Sequence, residues 1–280
     1  MSEDDAENDN TLEDLERSDI RTNIYEGGFK TWECSVDLAS LLLDRGPRKD
    51  IDELVRCDQI IEVRIHLSTP VSFHYRTTIL IALQLGAGTA LPTLTLFQHA
   101  LTQSIPLTFT LADYNASVLR LVTLPNLLLT YARFCPTLFI PATDSGDLDI
   151  TPDLLSSFTS ALAAAEINLN FLSGPWNATL ASLIPHSAPE MGTLVLAAET
   201  IYSPASTAAF VEVLMELLRR VKMAKAVVAA KRVYFGVGGS VDSLKEMCAE
   251  RGAVAYEVEN SGVRGMDSGV GRALVEVQMY

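Results

Sequence analysis

The sequence predicts an α/β domain with a mostly parallel seven-stranded sheet and helices on both faces. Three observations carry this. From residue 78 onward, short apolar runs alternate with longer segments of helical period, the pattern of a sheet built by crossovers. The first run ends in "LQLGAGTALP" (83–92), where two glycines stand between a strand and a helix. The last two runs are joined by a short polar loop, which suits an antiparallel hairpin better than a crossover.

The elements follow in order. Residues 1–22 form an acidic tail, predicted to be disordered and solvating. Residues 23–280 then form one domain. In "TWECSVDLASLLL" (31–43), Trp32, Val36, Leu38, Ala39 and Leu42 recur near helical spacing and predict a helix. Residues 44–77 have no clean period, carry Pro47 and Pro70, and read as an insertion with a strand at 60–66. A buried strand at 78–85 leads into a helix at 90–103, then a second strand at 107–112. The helix at 115–131 contains Pro125, which predicts a kink or an end there. A second, polar insertion near 133–150 precedes a short helix, "LLSSFTSALAAAE". Strands at 167–172, 192–198 and 225–230 alternate with helices at 204–222 and 240–251. "AVAYEV" and "ALVEVQM" close the sheet.

Composition narrows the function classes. The formal net charge is −14 over 280 residues, and residues 1–20 supply −8 of it. Such a chain lacks the basic patches of a nucleic-acid binder, whereas an acidic surface suits a basic protein partner. No apolar run reaches the roughly 18 residues that span a bilayer. The amino-terminal segment has neither the basic nor the apolar region of a signal peptide. The cysteines (Cys34, Cys57, Cys135, Cys248) form no CxxC pair, and the histidines (His66, His74, His99, His186) show no metal-ligand spacing, so neither a disulfide framework nor a zinc site is expected.

The chemistry starts at the glycine loop. A dehydrogenase fingerprint needs a third glycine where Leu91 stands. The looser G-x-G of Gly86 and Gly88 fits a loop that lets the backbone approach S-adenosylmethionine, although a plain strand-to-helix turn has the same residues. One βα unit on, Asp113 ends the second strand, where a carboxylate can accept both ribose hydroxyls. Asp113 could instead cap the next helix, but Asn115 is an equally good cap, which favours the ribose role. Together with one reversed strand near the end of the sheet, this is the Rossmann-like architecture of class I methyltransferases.

Several stretches together resemble one family. "NIYEGGFKTWECSVDL", "LQLGAGTALP", "LADYNASVLRLVTLPNLLL", "FLSGPW", "AAETIYSP" and "AAKRVYFGVGGS" resemble the eukaryotic protein-histidine N-methyltransferases. This is the methyltransferase-like branch with the fungal enzyme that modifies a ribosomal protein. The blocks run from about Asn23 to Ser240. The chain departs from the pattern at Gln84, where the family carries an acid, at Ala87, often a cysteine, and at Ala90, usually a glycine.

The resemblance implies S-adenosylmethionine as methyl donor and S-adenosylhomocysteine as product. The implied acceptor is a histidine ring nitrogen, in the tele position, of a basic large-subunit ribosomal protein, the third. The chain is expected to be a monomer of cytoplasm and nucleus that binds neither nucleic acid nor membrane. Cofactor contacts carry over to Thr31, Trp32, Glu33, Cys34 and Ser35, to Gly86 and Gly88, and to Asp113, Tyr114 and Asn115. They also carry over to Gly174, Trp176 and Ala198.

Glu199 and Tyr202 follow the fourth strand, whose tip faces the transferring methyl in this fold. A neutral imidazole needs no strong base, only the correct tautomer, which a hydrogen-bond acceptor can hold. Glu199 is the candidate acceptor, with Tyr202 or Asn115 as alternatives. An acidic-x-x-Tyr sequence here also marks protein-lysine methyltransferases, so residues alone leave both acceptors open. A non-catalytic ribosome-assembly protein on the same fold is the third reading. For "YFGVGG" (234–239), a bend that shapes an acceptor channel and a simple turn are equally compatible.

Overall fold

The structure is a computed structural model that describes residues 20–21, 25–26, 30–46, 80–135, 148–189, 191–259, 266 and 269–280. The expected strand at 60–66, most of the acidic tail and most of both insertions lie outside these residues.

Seven strands form the main sheet: β1 (Leu80–Leu85), β2 (Leu107–Asp113), β3 (Ile167–Ser173), β4 (Thr193–Ala198), β5 (Ala224–Lys231), β6 (Ala253–Glu257) and β7 (Arg272–Met279). Their order is β3-β2-β1-β4-β5-β7-β6. The first five pair in parallel. β7 runs antiparallel between β5 and β6, so the short closing connection is a hairpin, as its length predicts. All six residues of β4 are buried, as expected of a central strand with helices over both faces. The edge strands β3 and β6 are buried mainly at their first residue.

The helices are α1 (Glu33–Gly46), α2 (Leu91–Gln103), α3 (Ala116–Val118), α4 (Leu124–Ala132), α5 (Pro152–Ala164), α6 (Ala178–Leu183), α7 (Pro204–Leu218) and α8 (Val241–Ala249). Polar caps fix where most of them begin. Thr151, Asn177 and Ser240 each accept a backbone N–H of the first turn, and Ser203 forms a capping box with Ser206. α6 is a single capped turn without the repeating apolar spacing that marks longer helices. Sequence periodicity therefore gives no sign of it.

Pro125 neither ends nor breaks its helix. The five residues Leu119–Thr123 between α3 and α4 form a π turn, and the Leu124 N–H reaches back to the Leu119 carbonyl. The wider turn just before the proline takes up the missing N–H and the ring's bulk, so the helical run continues from 116 to 132.

A chain of edge-to-face aromatic pairs holds α2, α4 and α5 to the sheet. Ring centroids are 5.7 Å apart for Phe97–Phe109, 6.3 Å for Phe97–Phe158 and 5.2 Å for Tyr131–Phe158. Each such pair adds about 0.5–1.5 kcal/mol beyond its area. α1 packs against α2 and β5. It is tied to the last strand by Arg272, whose Nε donates to Asp37 Oδ2 at 2.5 Å and whose Nη2 donates to Oδ1 at 3.3 Å. Asp37 is 2% exposed, so its charge depends on that forked partner.

Candidate active site

The chain runs outward from β1 to β3, then returns to lay β4 on the other side of β1. A crevice opens at the carboxyl ends of strands at such a switch point, and ligands bind there in open α/β sheets. The cavity here has a volume of about 470 Å³, within the usual range for small-molecule sites. Its walls come from the glycine loop after β1, the tips of β2, β4 and β5, the start of α7 and the residues ahead of α1.

The glycine loop is fixed from two sides. The Gly86 and Ala87 amides both donate to the Ala112 carbonyl at 2.9 Å. Thr123, inside the π turn, donates to the Gly88 carbonyl at 2.6 Å, and Asn126 donates to the Thr89 carbonyl at 2.9 Å. Gly86 has φ +72°, and a Cβ on it would stand 3.4 Å from Thr200 Cγ2 and 3.7 Å from the Trp176 ring. Those are ordinary contact distances, so the cost of a side chain there is the left-handed backbone rather than lack of space. Ala90 takes a left-handed φ of 59°, a conformation that glycine adopts more cheaply.

Asp113 lines the cavity and is 2% exposed. Its Oδ2 accepts the Gly88 N–H and its Oδ1 accepts the Asn115 N–H, both at 3.0 Å. Asn115 is the cap of α3, as expected, accepting the Ser117 N–H at 3.0 Å. The carboxylate is not thereby left free. It ties the glycine loop to the strand end.

Of the other predicted residues, Trp32, Ser35, Gly88, Tyr114, Trp176, Ala198, Glu199 and Tyr202 also line the cavity. Thr31, Glu33, Cys34, Asn115 and Gly174 do not. Thr31 reaches the Thr89 hydroxyl at 3.3 Å. Glu33 turns outward to Arg272 at 3.3 Å, because successive helical positions point about 100° apart. Cys34 is fully buried beside Glu199, and burial first and that carboxylate second push its thiol far up from the ordinary value. It is a protonated packing residue. Asn115 accepts the Ser117 N–H as a cap and stands outside the cavity lining. Gly174 acts through its backbone, donating to the Asp113 carbonyl at 3.1 Å.

Glu199 lines the cavity just beyond the tip of β4. It has φ 58°, an uncommon conformation for a residue with a side chain. Ser203 caps α7, so Glu199 has no capping duty. The Tyr234 hydroxyl donates to its Oε2 at 2.5 Å, and Lys231 Nζ lies 3.9 Å from Oε1. Burial first, and Glu199 second, raise the Tyr234 phenol well above its ordinary value, so it stays a donor. The Lys231 ammonium lies 5.4 Å from the Trp32 ring centre and 5.9 Å from that of Tyr234, within cation–π range. "YFGVGG" has two tasks. Val237 lines the cavity, and Gly239 backs the loop after Glu199, where a Cβ would come within 2.0 Å of the Ile201 carbonyl oxygen.

Sequence reasoning missed Lys231, Tyr234 and Thr200 as cavity residues. A lysine at the tip of β5, beside the tip of β4 in a parallel sheet, is the signal that points to the first.

Three buried polar atoms of the cavity residues have no hydrogen-bond partner among the described residues: Trp176 Nε1, Thr200 Oγ1 and Glu199 Oε1. Orphaned polar atoms are costly to bury. Their convergence here, next to a glycine in the left-handed region, fits a polar ligand with an aromatic portion. No cluster of three metal-ligating side chains occurs among the described residues.

No family model matches the chain. It is 38% identical over 244 residues to Histidine protein methyltransferase 1 of Schizosaccharomyces pombe, covering 86% of this chain and 62% of that protein. It is 35% identical over 266 residues to Histidine protein methyltransferase 1 of Saccharomyces cerevisiae, covering 86% and 63%. A solved S-adenosylmethionine-dependent methyltransferase from Clostridium acetobutylicum shares 8% identity at a TM-score of 0.43, covering 98% of both chains. The chain thus spans less than two thirds of the length of the two yeast relatives. Through 86% of its residues it is related to the yeast proteins named Histidine protein methyltransferase 1, the family its motifs resemble.

Proposed function

We propose that this chain is an S-adenosylmethionine-dependent protein-histidine N-methyltransferase. Its acceptor is the ring nitrogen far from the backbone, in a histidine of a basic large-subunit ribosomal protein, the third, and it acts as a monomer in cytoplasm and nucleus. The observation that carries the reading is Glu199 at the tip of the central strand, with one carboxylate oxygen held by Tyr234 and the other 3.9 Å from Lys231 Nζ and without a hydrogen-bond partner among the described residues. The names of the yeast relatives support the histidine acceptor.

S-adenosylmethionine, when bound, supplies a methyl group on a sulfonium. Asp113, the Gly86–Gly88 backbone and Trp176 form the side of the cavity suited to the nucleoside, with Trp32, Ser35, Tyr114 and Ala198 completing that wall. Glu199 Oε1 accepts the N–H of the acceptor ring. This leaves the lone pair of the other nitrogen directed into the cavity. Tyr234 keeps the carboxylate from rotating, so the ring is presented in one orientation, the main service a site can give to an in-line displacement.

The test is a calorimetric titration with S-adenosylhomocysteine, paired with a turnover assay, on the wild type and Glu199→Ala. Both tryptophans of the chain line the cavity, so their fluorescence reports the same binding. The variant is expected to bind the product as the wild type does and to lose turnover. A variant that loses product binding instead places Glu199 in the cofactor site.

A further inference from the structure

We infer that Lys231 is a specificity residue that makes the acceptor end of the cavity reject cationic side chains, so that histidine is selected over lysine. This rests on the methyl-transfer reading above.

Glu199 alone would attract a protonated acceptor. It is not alone. Lys231 Nζ stands 3.9 Å from its Oε1, with the lysine side chain 26% exposed and the glutamate 11%. At that depth the two charges are only partly screened. Tyr234 adds a neutral donor on the other carboxylate oxygen. Trp32 and Tyr234 hold the ammonium against their rings, which keeps Lys231 at the wall of the cavity. The other charged groups lining the cavity are Lys30 and Asp113. Lys30 adds to the positive side. Asp113 is committed to the Gly88 and Asn115 amides. A second ammonium entering beside Glu199 therefore meets a carboxylate that is already compensated, next to a fixed like charge.

The chemistry turns this into selectivity. A histidine ring, with an ordinary pKa near 6.5, is mostly neutral at pH 7 and enters in its majority form. A lysine amine, with a pKa near 10.4, is neutral in only about one molecule in 2500 at that pH. A site that admits only the uncharged form passes the first and holds back the second by about three orders of magnitude. The acidic-x-x-Tyr sequence, compatible with both acceptors, is thereby set to one of them by a residue on the neighbouring strand.

The test uses wild type, Lys231→Gln and Lys231→Arg. Each is assayed with a synthetic peptide around the histidine that the wild type labels, and with the same peptide carrying lysine at that position. Binding of the lysine peptide to the S-adenosylhomocysteine complex is measured by calorimetry. Lys231→Gln is expected to narrow the histidine-to-lysine rate ratio about tenfold or more and to tighten lysine-peptide binding similarly. Lys231→Arg, which keeps the charge, should retain the wild-type ratio. An unchanged ratio with unchanged lysine-peptide binding in Lys231→Gln overturns the inference. So does weakened S-adenosylhomocysteine binding with no change in discrimination, which makes Lys231 a cofactor residue. If Lys231→Gln turns over neither peptide, the calorimetric comparison decides. Failure of the wild type to label any histidine overturns the proposed function itself, and histidine labelling with unaltered discrimination overturns only the role of Lys231.

Discussion

Tyr234 and Glu199 are 35 residues apart in sequence and 2.5 Å apart in space, the phenol donating to a carboxylate oxygen whose backbone is left-handed. Two parallel strands make this meeting possible. β4 and β5 pair in register up to Ala198 and Ala229, so the segments leaving both strand tips face one cavity.

Tyr234→Phe tests what the bond does. Removing a buried donor to a carboxylate costs about 1.5–3 kcal/mol of stability, read by urea unfolding. Because the freed carboxylate rotates, turnover should fall tenfold or more, with S-adenosylhomocysteine affinity unchanged. Unchanged turnover would show that Glu199 needs no orienting partner.

Thr123→Val tests the π turn as a support for the glycine loop. The side chains are nearly equal in size, and the change leaves the Gly88 carbonyl without the hydroxyl now 2.6 Å away. A stability loss of about 1–3 kcal/mol is expected, with a several-fold weaker calorimetric affinity for S-adenosylhomocysteine. An affinity equal to wild type would show that the Ala112, Asp113 and Asn126 bonds hold the loop without Thr123.

Gly239→Ala should act at a distance from any ligand. Its Cβ would lie 2.0 Å from the Ile201 carbonyl oxygen and 2.5 Å from the Tyr202 carbonyl carbon, backbone atoms that can only move together with the loop. Overpacking of this kind costs about 1–3 kcal/mol. Turnover should drop with the displaced Glu199–Tyr202 segment. A crystal structure of the variant with that segment unmoved would contradict this.

Glu257 gives the acid dependence. Hydrogen bonds from Arg232 at 2.7 Å and Lys245 at 2.6 Å hold its carboxyl down to about 2. The folded value lies below the unfolded one, so the contribution is full above about pH 4.5 and is lost as pH falls toward 2. The group is a third exposed, and solvent screening reduces the contribution to about 1 kcal/mol. The stability gap between wild type and Glu257→Gln should therefore be larger at pH 7 than at pH 3. A gap independent of pH would contradict the pairing.

The sheet was legible because strands announce themselves by short apolar runs, and the hairpin because a polar loop of that length suits an antiparallel pair better than a crossover. The first half of the site was legible where a strand ends in a residue with one strong duty, as at Gly86, Asp113 and Glu199. Trp32 and Glu33 show the limit. They are neighbours in one motif, yet one lines the cavity and the other reaches Arg272 on the last strand. Only the fold decides which way each turns. Lys231 and Tyr234 were hidden for a related reason. Lys231 is marked only by its place at a strand tip, and the bend at 234–239 reads equally as a simple turn. The π turn was hidden because Pro125 signals disruption without saying which form it takes.

The central claim is that the cavity transfers methyl groups to histidine. The most direct measurement is incubation with methyl-labelled S-adenosylmethionine and free large-subunit ribosomal proteins, followed by hydrolysis and identification of the labelled amino acid. Label on methylhistidine, carried on a single protein, is the predicted result. Label on methyllysine, or no label from a protein that binds S-adenosylhomocysteine, would contradict the claim.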